Sequence, residues 1–115
     1  MHTDKAFWQM LDTLVAESEI IIDRPAGSAH PRYPDMIYPL DYGYLRGTAA
    51  MDGDGIDLWR GSDPAGRLDG LVCTVDIVNR DSEIKLLLGC TEEEKALICR
   101  VHNATEGSKG ILVRR

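Results

Sequence analysis

Residues 71–90, with the sequence LVCTVDIVNRDSEIKLLLGC, decide the fold of this chain. Apolar residues occupy every second position from Leu71 to Ile77 and again from Ile84 to Cys90. A period of two is typical of a β-strand with one face in a core. The residues between the two runs have the composition of a turn, so the stretch predicts an antiparallel β-hairpin.

Shorter elements flank this hairpin. A helix is predicted from Thr3 or Asp4 to about Ala16. The capping box Thr91-Glu-Glu-Glu94 predicts a second helix that ends near Asn103. Further strands are expected within the ranges 19–23, 38–45, 51–59 and 111–113. The core-facing side of the first helix is expected to hold Phe7, Met10, Leu11, Leu14 and Val15. Short strands with a helix near each end favour a mainly β, α+β fold with a small closed barrel over a doubly wound sheet.

The composition describes a single globular domain that spans residues 1–115. Hydrophobic residues make up 43% and charged residues 28%, which excludes a disordered or collagen-like chain. The net charge of −6 repels phosphate backbones and anionic lipid, so we expect neither nucleic acid nor a membrane as a partner. A domain of this size has little stability to spare, so we expect a homo-oligomer.

The cysteines and the N-terminus bear on the cellular compartment. Cys73, Cys90 and Cys99 are odd in number and form no CxxC pair, which favours buried small side chains over a disulfide framework or a zinc site. The N-terminus lacks a basic region followed by an apolar run, and no apolar stretch approaches the roughly 20 residues of a membrane span. The expected location is cytoplasmic.

An acidic turn, Asp52-Gly-Asp-Gly-Ile-Asp57, carries the clearest chemical signal. Its glycines allow a sharp turn in which the three carboxylates converge, and converging carboxylates repel one another unless a cation lies between them. Mg²⁺ or Mn²⁺ suits such oxygen ligands. An EF-hand is excluded, because Ile56 and Asp57 occupy the positions of its oxygen ligand and its glycine. A solvated turn without a metal remains the alternative.

A second polar pair lies on the predicted hairpin. Glu83 and Lys85 are two residues apart, so they share the strand face opposite Ile84 and Leu86. A carboxylate beside an ammonium group can complete a site for both a metal and a phosphate. The alternative is a solvent-facing ion pair that contributes about 0–1 kcal/mol.

Two of these segments together resemble a known family. Tyr38-Pro-Leu-Asp-Tyr-Gly-Tyr44, followed closely by the acidic turn, is similar to the signature of the family I soluble inorganic pyrophosphatases. That family has a YPxNYGF/Y strand and then a D-x-D-P-x-D metal turn. The resemblance implies a five-stranded, OB-like closed barrel with flanking helices. It also implies Mg²⁺-dependent hydrolysis of pyrophosphate, with Mn²⁺ as a possible substitute.

The resemblance implies a role for each matching residue. The metal ligands would be Asp52, Asp57, Glu83 and, on the adjoining turn, Asp81. The catalytic residues would be Asp54, which accepts a proton from the attacking water, and Tyr42, which donates a hydrogen bond near that water or a phosphate. The substrate-binding residues would be Asp23, Arg32 and Lys85.

The chain also departs from the family pattern. Gly55 replaces the proline of the metal turn, and Asp41 replaces an asparagine. Pro34 stands where the family has the glutamate of a K-Y-E triplet, and His102-Asn103 stands where a Tyr-Lys pair grips phosphate. A hairpin with a phosphate-binding arginine is missing. Arg24 and Arg46 are candidate replacements for the lost cations. Two alternatives to pyrophosphate hydrolysis therefore stay open: a phosphohydrolase with another phosphorylated substrate, and a non-catalytic barrel that binds a metal or phosphate.

Overall fold

The computed structural model describes residues 2–51 and 53–115. Its elements, in chain order, are α1 (His2–Ala16), β1 (Ile20–Arg24), β2 (Asp41–Leu45), β3 (Ile56–Arg60), β4 (Leu68–Asp76), β5 (Asp81–Leu88), α2 (Glu92–His102) and β6 (Ser108–Arg114). Every predicted element is present, with bounds shifted by a few residues. In the part of the chain that the structure describes, neither helix has the length and apolar character needed to cross a membrane.

All six strands form one sheet in the order β1-β2-β3-β5-β4-β6. The predicted hairpin is confirmed as β4 and β5, which pair antiparallel with Cys73 opposite Ile84. Strands β3 and β5 pair in parallel with Trp59 opposite Leu87, and the other pairs are antiparallel.

The mainly β, α+β architecture with two flanking helices is confirmed, but the expected closed barrel of five strands needs a correction. The sheet has six strands, and no pairing among the described residues joins the edge strands β1 and β6. Because β6 pairs with β4 alone, it extends the sheet instead of bridging to β1.

The sheet has an apolar core on each face, because successive residues of a strand point to opposite sides. Leu58 and Trp59 are adjacent on β3, both are buried, and they belong to different cores. Helix α1 covers the first core through Trp8 and Leu11. Helix α2 covers the second core through Ile98.

The buried side of α1 differs from the expected one. Trp8 and Leu11 are buried, whereas Phe7 is 47% exposed and Met10 is 75% exposed. Trp8 offers a large ring to the core, and the Arg115 guanidinium lies 5.8 Å from the ring centroid. The helix therefore docks through Trp8, which turns Phe7 and Met10 toward solvent.

Helix α2 is fixed at both ends. The predicted capping box is confirmed, since the Thr91 side chain accepts from the Glu94 N–H and the Glu94 side chain accepts from the Thr91 N–H. After the last turn, the Asn103 side chain donates to the Gly110 carbonyl oxygen at 2.9 Å and accepts from the Gly110 N–H at 3.2 Å. These bonds tie the end of the helix to the edge strand β6.

Candidate functional site

The polar site lies at one end of the sheet face that α2 covers. Along β3 this face changes from Trp59 to Asp57, and along β5 it changes from Leu87 to Lys85 and then Glu83. The parallel register sets Trp59 opposite Leu87, which places Asp57 near Lys85. The same strands thus supply an apolar core at one end and a cluster of charges at the other.

Lys85 is the centre of this cluster. Its ammonium nitrogen lies 2.7 Å from Asp57 Oδ2 and 2.5 Å from Glu83 Oε2. It also donates to the Tyr42 hydroxyl oxygen at 3.0 Å. Strands β2, β3 and β5 therefore bring three predicted site residues together around the ammonium group of a fourth.

The protonation states in the cluster follow from burial and charge. Burial raises the pKa of Tyr42 well above its usual range, and the nearby Asp57 charge adds to this effect while Lys85 opposes it. Burial alone would lower the pKa of Lys85, but Tyr42, Asp57 and Glu83 outweigh it, and the pKa is raised overall. At neutral pH the cluster therefore contains a neutral phenol and a charged ammonium group.

A first cavity of about 470 Å³ opens beside Tyr42 and Asp57, and Asp23, Arg24 and Asp54 also line it. Asp23 and Arg24 are consecutive on β1, so a regular strand would point them to opposite faces. The pairing of β1 with β2 shifts its register between Ile22 and Arg24, which is a β-bulge at Asp23. A bulge re-aims side chains, and this explains why both residues line one cavity.

Two glycines allow the backbone to pack closely around this cavity. A Cβ on Gly43 would lie 1.8 Å from the Ile21 carbonyl oxygen of the neighbouring strand. A Cβ on Gly55 would lie 2.8 Å from both the Leu45 carbonyl oxygen and the Tyr44 ring. Since proline also has a Cβ, this packing explains why the turn carries Gly55 instead of the proline of the family pattern.

Asp57 also lines a second cavity, of about 550 Å³. Its lining includes four carboxylates and one ammonium group, from Asp57, Asp76, Asp81, Glu83 and Lys85. It also includes the rings of His30, Tyr33, Tyr38, Trp59 and His102. The two cavities share His30, Tyr38, Tyr42 and Asp57, so they are two parts of one candidate site.

His102 is a site residue that the sequence motifs did not assign. Its Nε2 accepts a hydrogen bond from Trp59 Nε1 at 3.0 Å. Burial lowers the pKa of His102 to about 4, and the charge of Lys85 adds to the shift. His102 is therefore neutral at pH 7. Its replacement of a phosphate-site tyrosine in the family pattern was the available signal, whereas its neighbour Asn103 serves the contact with β6.

The structure places the remaining predicted residues as follows. Asp23 and Asp54 line the first cavity, and Asp81 lines the second. Arg32 is exposed and lies outside both linings, and its backbone N–H donates to His30 Nδ1. Asp52 lies outside the described residues.

The two candidate replacement cations have different positions. Arg24 lines the first cavity and donates to the Tyr38 hydroxyl at 2.9 Å. Arg46 forms an exposed ion pair with Glu19 at 3.2 Å. Arg24 is therefore part of the candidate site. Arg46 lies outside the described linings of both cavities, and its ion pair connects the end of β2 to the residue that precedes β1.

The donor set fits a hard divalent cation in its chemistry. The described lining of the first cavity holds Asp23, Asp54 and Asp57 but a single Lys or Arg, Arg24. Carboxylate oxygens are the ligands that Mg²⁺ and Mn²⁺ prefer. Among residues 2–51 and 53–115, no three His, Cys, Asp or Glu side chains converge on one point that could hold a metal.

Comparison with known proteins supports the fold. No protein-family model and no curated protein sequence matches the chain significantly. Among solved structures, an inorganic pyrophosphatase from Helicobacter pylori is similar, with a TM-score of 0.56 and 16% identity, over 83% of this chain and 81% of that one. An inorganic phosphatase from Anaplasma phagocytophilum has a TM-score of 0.56 and 15% identity over 83% and 81% of the two chains. An inorganic pyrophosphatase from Coxiella burnetii has a TM-score of 0.53 and 16% identity over 83% and 82%. The chain therefore has the fold of the inorganic pyrophosphatases, as the resemblance of its motifs implied.

Proposed function

We propose that the protein hydrolyses inorganic pyrophosphate to phosphate with the help of a divalent cation, Mg²⁺ or Mn²⁺. One observation carries the proposal: Tyr42, Asp57, Glu83 and Lys85 meet at one end of the sheet, beside the cavity that Asp54 lines. The two sequence motifs predicted roles for Tyr42, Asp54 and Asp57, and the polar pair on the hairpin is Glu83 and Lys85. The fold shared with the inorganic pyrophosphatases adds support.

The charge of the site explains why a cation belongs to the proposal. Pyrophosphate is an anion, and the carboxylates around the two cavities would repel it. Bound at Asp52, Asp57, Glu83 and Asp81, Mg²⁺ would neutralise charge on the phosphates and lower the pKa of a water molecule.

The side chains divide the remaining tasks. Asp54 accepts the proton of the attacking water as a general base, and the Tyr42 hydroxyl orients that water or a phosphate oxygen. Lys85 and Arg24 offset negative charge on the phosphates. Asp23 lines the first cavity and contributes to the substrate contacts there. The exposed Arg32 side chain would have to turn toward the cavities to join them. The water oxygen bonds to one phosphorus as the bridging P–O bond breaks.

A second candidate is a phosphohydrolase with a different phosphorylated substrate. It is favoured by the scarcity of cations, since Arg24 and Lys85 are the only Lys or Arg side chains in the described linings of the two cavities. Both already hold partners, Tyr38 for Arg24 and the acidic pair for Lys85. A non-catalytic domain that binds a metal or phosphate is the remaining alternative.

We also propose that the chain forms a homo-oligomer. Beyond the part of the sheet that α1 covers, Cys73 lies between Ile84 and Ile111 of the neighbouring strands, and Val75 follows on the same face. Val75 is 58% exposed and Ile111 is 65% exposed. A second copy on this face would bury apolar side chains that water now contacts.

The direct test is phosphate release from pyrophosphate with millimolar Mg²⁺. Asp54→Asn is expected to lower kcat by about 10²–10⁴-fold, because it removes the general base. Asp4→Asn, in the exposed first turn of α1, is the matched control and should keep wild-type activity. Calorimetry with Mg²⁺ on the same proteins measures metal binding separately.

The outcomes separate the three candidates. Release that Asp54→Asn abolishes, with Mg²⁺ binding retained, supports the pyrophosphatase. Mg²⁺ binding without release from pyrophosphate, but with release from phosphate esters or other anhydrides, supports the second candidate. Binding of Mg²⁺ or phosphate with no turnover of any phosphate compound would leave the non-catalytic binding domain.

A further inference from the structure

The lining of the second cavity combines two kinds of side chain. One group consists of the carboxylates and the ammonium group of Lys85. The other group, called here the ring wall, consists of rings and apolar side chains, which are His30, Tyr33, Met36, Tyr38, Trp59 and Val101. A cavity lined by both groups suits a ligand with a charged end and an aromatic end.

The ring wall is held in place by its own packing. Tyr38 is buried, and its ring centroid lies 5.3 Å from that of Tyr42 and 5.8 Å from that of Trp59. The His30 ring is nearly parallel to Tyr38, with 12° between the planes and 6.2 Å between the centroids. The wall is therefore formed before a ligand arrives.

Tyr33 lies at the mouth of this wall. It is 60% exposed, and its ring centroid lies 5.1 Å from that of His30. The N–H groups of Arg32 and Tyr33 both donate to His30 Nδ1, at 3.0 and 3.3 Å. The Met36 N–H donates to the Tyr33 carbonyl oxygen at 2.9 Å. These bonds fix the Tyr33 backbone while its ring stays open to a ligand.

Volume and charge both argue for more than a bare phosphate chain. A cavity of about 550 Å³ is of the size that holds drug-sized ligands, and pyrophosphate is far smaller. Lys85 is the one Lys or Arg side chain in the described lining, and the same lining holds four carboxylates. Much of the binding free energy must therefore come from the ring wall.

We propose that the substrate of this site is a phosphoanhydride that carries an aromatic base, in chemical class a nucleoside di- or triphosphate. The base stacks on Tyr33 and His30, and the phosphates extend toward Lys85 and Asp57. This inference rests on the proposed hydrolase function. The water oxygen bonds to the attacked phosphorus, the bridging P–O bond breaks, its electron pair stays with the leaving phosphate, and the water proton passes to Asp54.

The test compares adenosine triphosphate with inorganic triphosphate, which differ by the nucleoside. Phosphate release is measured with Mg²⁺, and the readout is the ratio of the two KM values. Tyr33→Ala should raise the KM for the nucleotide, relative to inorganic triphosphate, by about 10-fold, because stacking of the base is lost. Tyr33→Phe keeps the ring and should hold the ratio within about twofold. Phe7→Ala, which removes an exposed ring on α1, is the matched control.

A binding measurement separates this inference from the hydrolase function. Calorimetry measures the binding of a non-hydrolysable adenosine triphosphate analogue in the presence of Mg²⁺. Analogue binding that weakens in Tyr33→Ala, without turnover of any phosphate compound, supports the ligand class and contradicts the hydrolase. Pyrophosphate turnover without analogue binding overturns the ligand class and leaves the hydrolase standing. An equal KM ratio in Tyr33→Ala and the wild type also overturns it.

Discussion

At Lys85, one ammonium group holds two carboxylates that would otherwise repel each other. The side chains of Lys85 and Glu83 are 12% and 10% exposed, so water screens this contact only weakly. The same geometry makes Lys85 a competitor of any cation that approaches Asp57 and Glu83. Removing the ammonium group should therefore affect stability and metal binding in opposite directions.

Lys85→Met keeps much of the side-chain length and removes the charge. Without divalent cations, we expect the free energy of unfolding to fall by about 3 kcal/mol, because two carboxylates lose their partner. Mg²⁺ should then stabilise the variant more than the wild type, because the cation takes over the vacated contacts. Urea unfolding with and without Mg²⁺ measures both effects, with Lys5→Met on the exposed side of α1 as the control. An equal Mg²⁺ effect on all three proteins would contradict this account.

His102 gives the fold a defined response to acid. Its pKa is about 4 in the folded chain, where burial disfavours the charged ring, against 6.5 for an ordinary histidine. The unfolded chain therefore binds a proton more readily, and stability is lost as the pH falls from about 6.5 toward 4. The two pKa values correspond to a loss of about 3 kcal/mol at the acidic end.

His102→Gln removes this titration and keeps an oxygen that can accept from Trp59 Nε1. We expect the wild type to lose more stability than the variant between pH 7 and pH 4, in urea unfolding followed by Trp fluorescence. Above pH 7 the two proteins should respond alike to pH. If the curves of both proteins stay parallel down to pH 4, the ring is charged in the fold and the burial argument is wrong.

At the level of elements, the sequence predicted what neighbouring residues encode. The alternation of residues 71–90 and the capping box at Thr91 each fix a local structure, and both are confirmed. The exposure of Phe7 and Met10 on α1 was not predicted, because several faces of that helix are apolar and the choice of buried face depends on the sheet it meets. The expectation of five strands in a closed barrel came from the resemblance. It was wrong because β6 pairs with β4 and adds a sixth strand at the edge of an open sheet.

The candidate site shows the same limit. The spacing of Glu83 and Lys85 on the predicted strand placed them on one face, and the structure confirms that they are in contact. The contact of Lys85 with Asp57 depends on the parallel register of β3 and β5, which no local pattern encodes. The position of Arg24 depends on a β-bulge, and that of His102 on the way α2 crosses the sheet. Motifs therefore identified the residues of the strands, and tertiary packing supplied the rest of the cavity walls.

Strand β6 is an edge strand, and Asn103 protects it. Its side chain binds both backbone groups of Gly110, so a neighbouring chain cannot pair there.

Asn103→Ala should lower the free energy of unfolding by about 2 kcal/mol through the lost hydrogen bonds, and it should promote concentration-dependent association. Thermal unfolding and light scattering measure the two effects. The control is Asn79→Ala, which removes an exposed contact with Asp76. A variant with wild-type stability would show that the Gly110 contact contributes nothing.

For the whole molecule, the two faces of the sheet differ in how completely they are covered. The face under α2 ends in the charged site, whereas the face under α1 ends in apolar side chains that include Val75 and Ile111. A net charge of −6 opposes self-association at long range, so short-range apolar contact must drive any oligomer. Association should therefore strengthen as salt screens the charges.

Val75→Lys and Ile111→Lys test where the proposed homo-oligomer forms. Each adds a charge to the uncovered apolar face, and we expect each to shift size-exclusion chromatography with light scattering toward the monomer. Their thermal midpoints should stay near that of the wild type when all are measured as monomers, because both side chains are largely exposed. Met10→Lys places the same charge on exposed α1 and is the control. If Met10→Lys alone dissociates the oligomer, the interface lies on the helix α1. A wild type that is monomeric at every concentration and salt level would contradict the proposed oligomer itself.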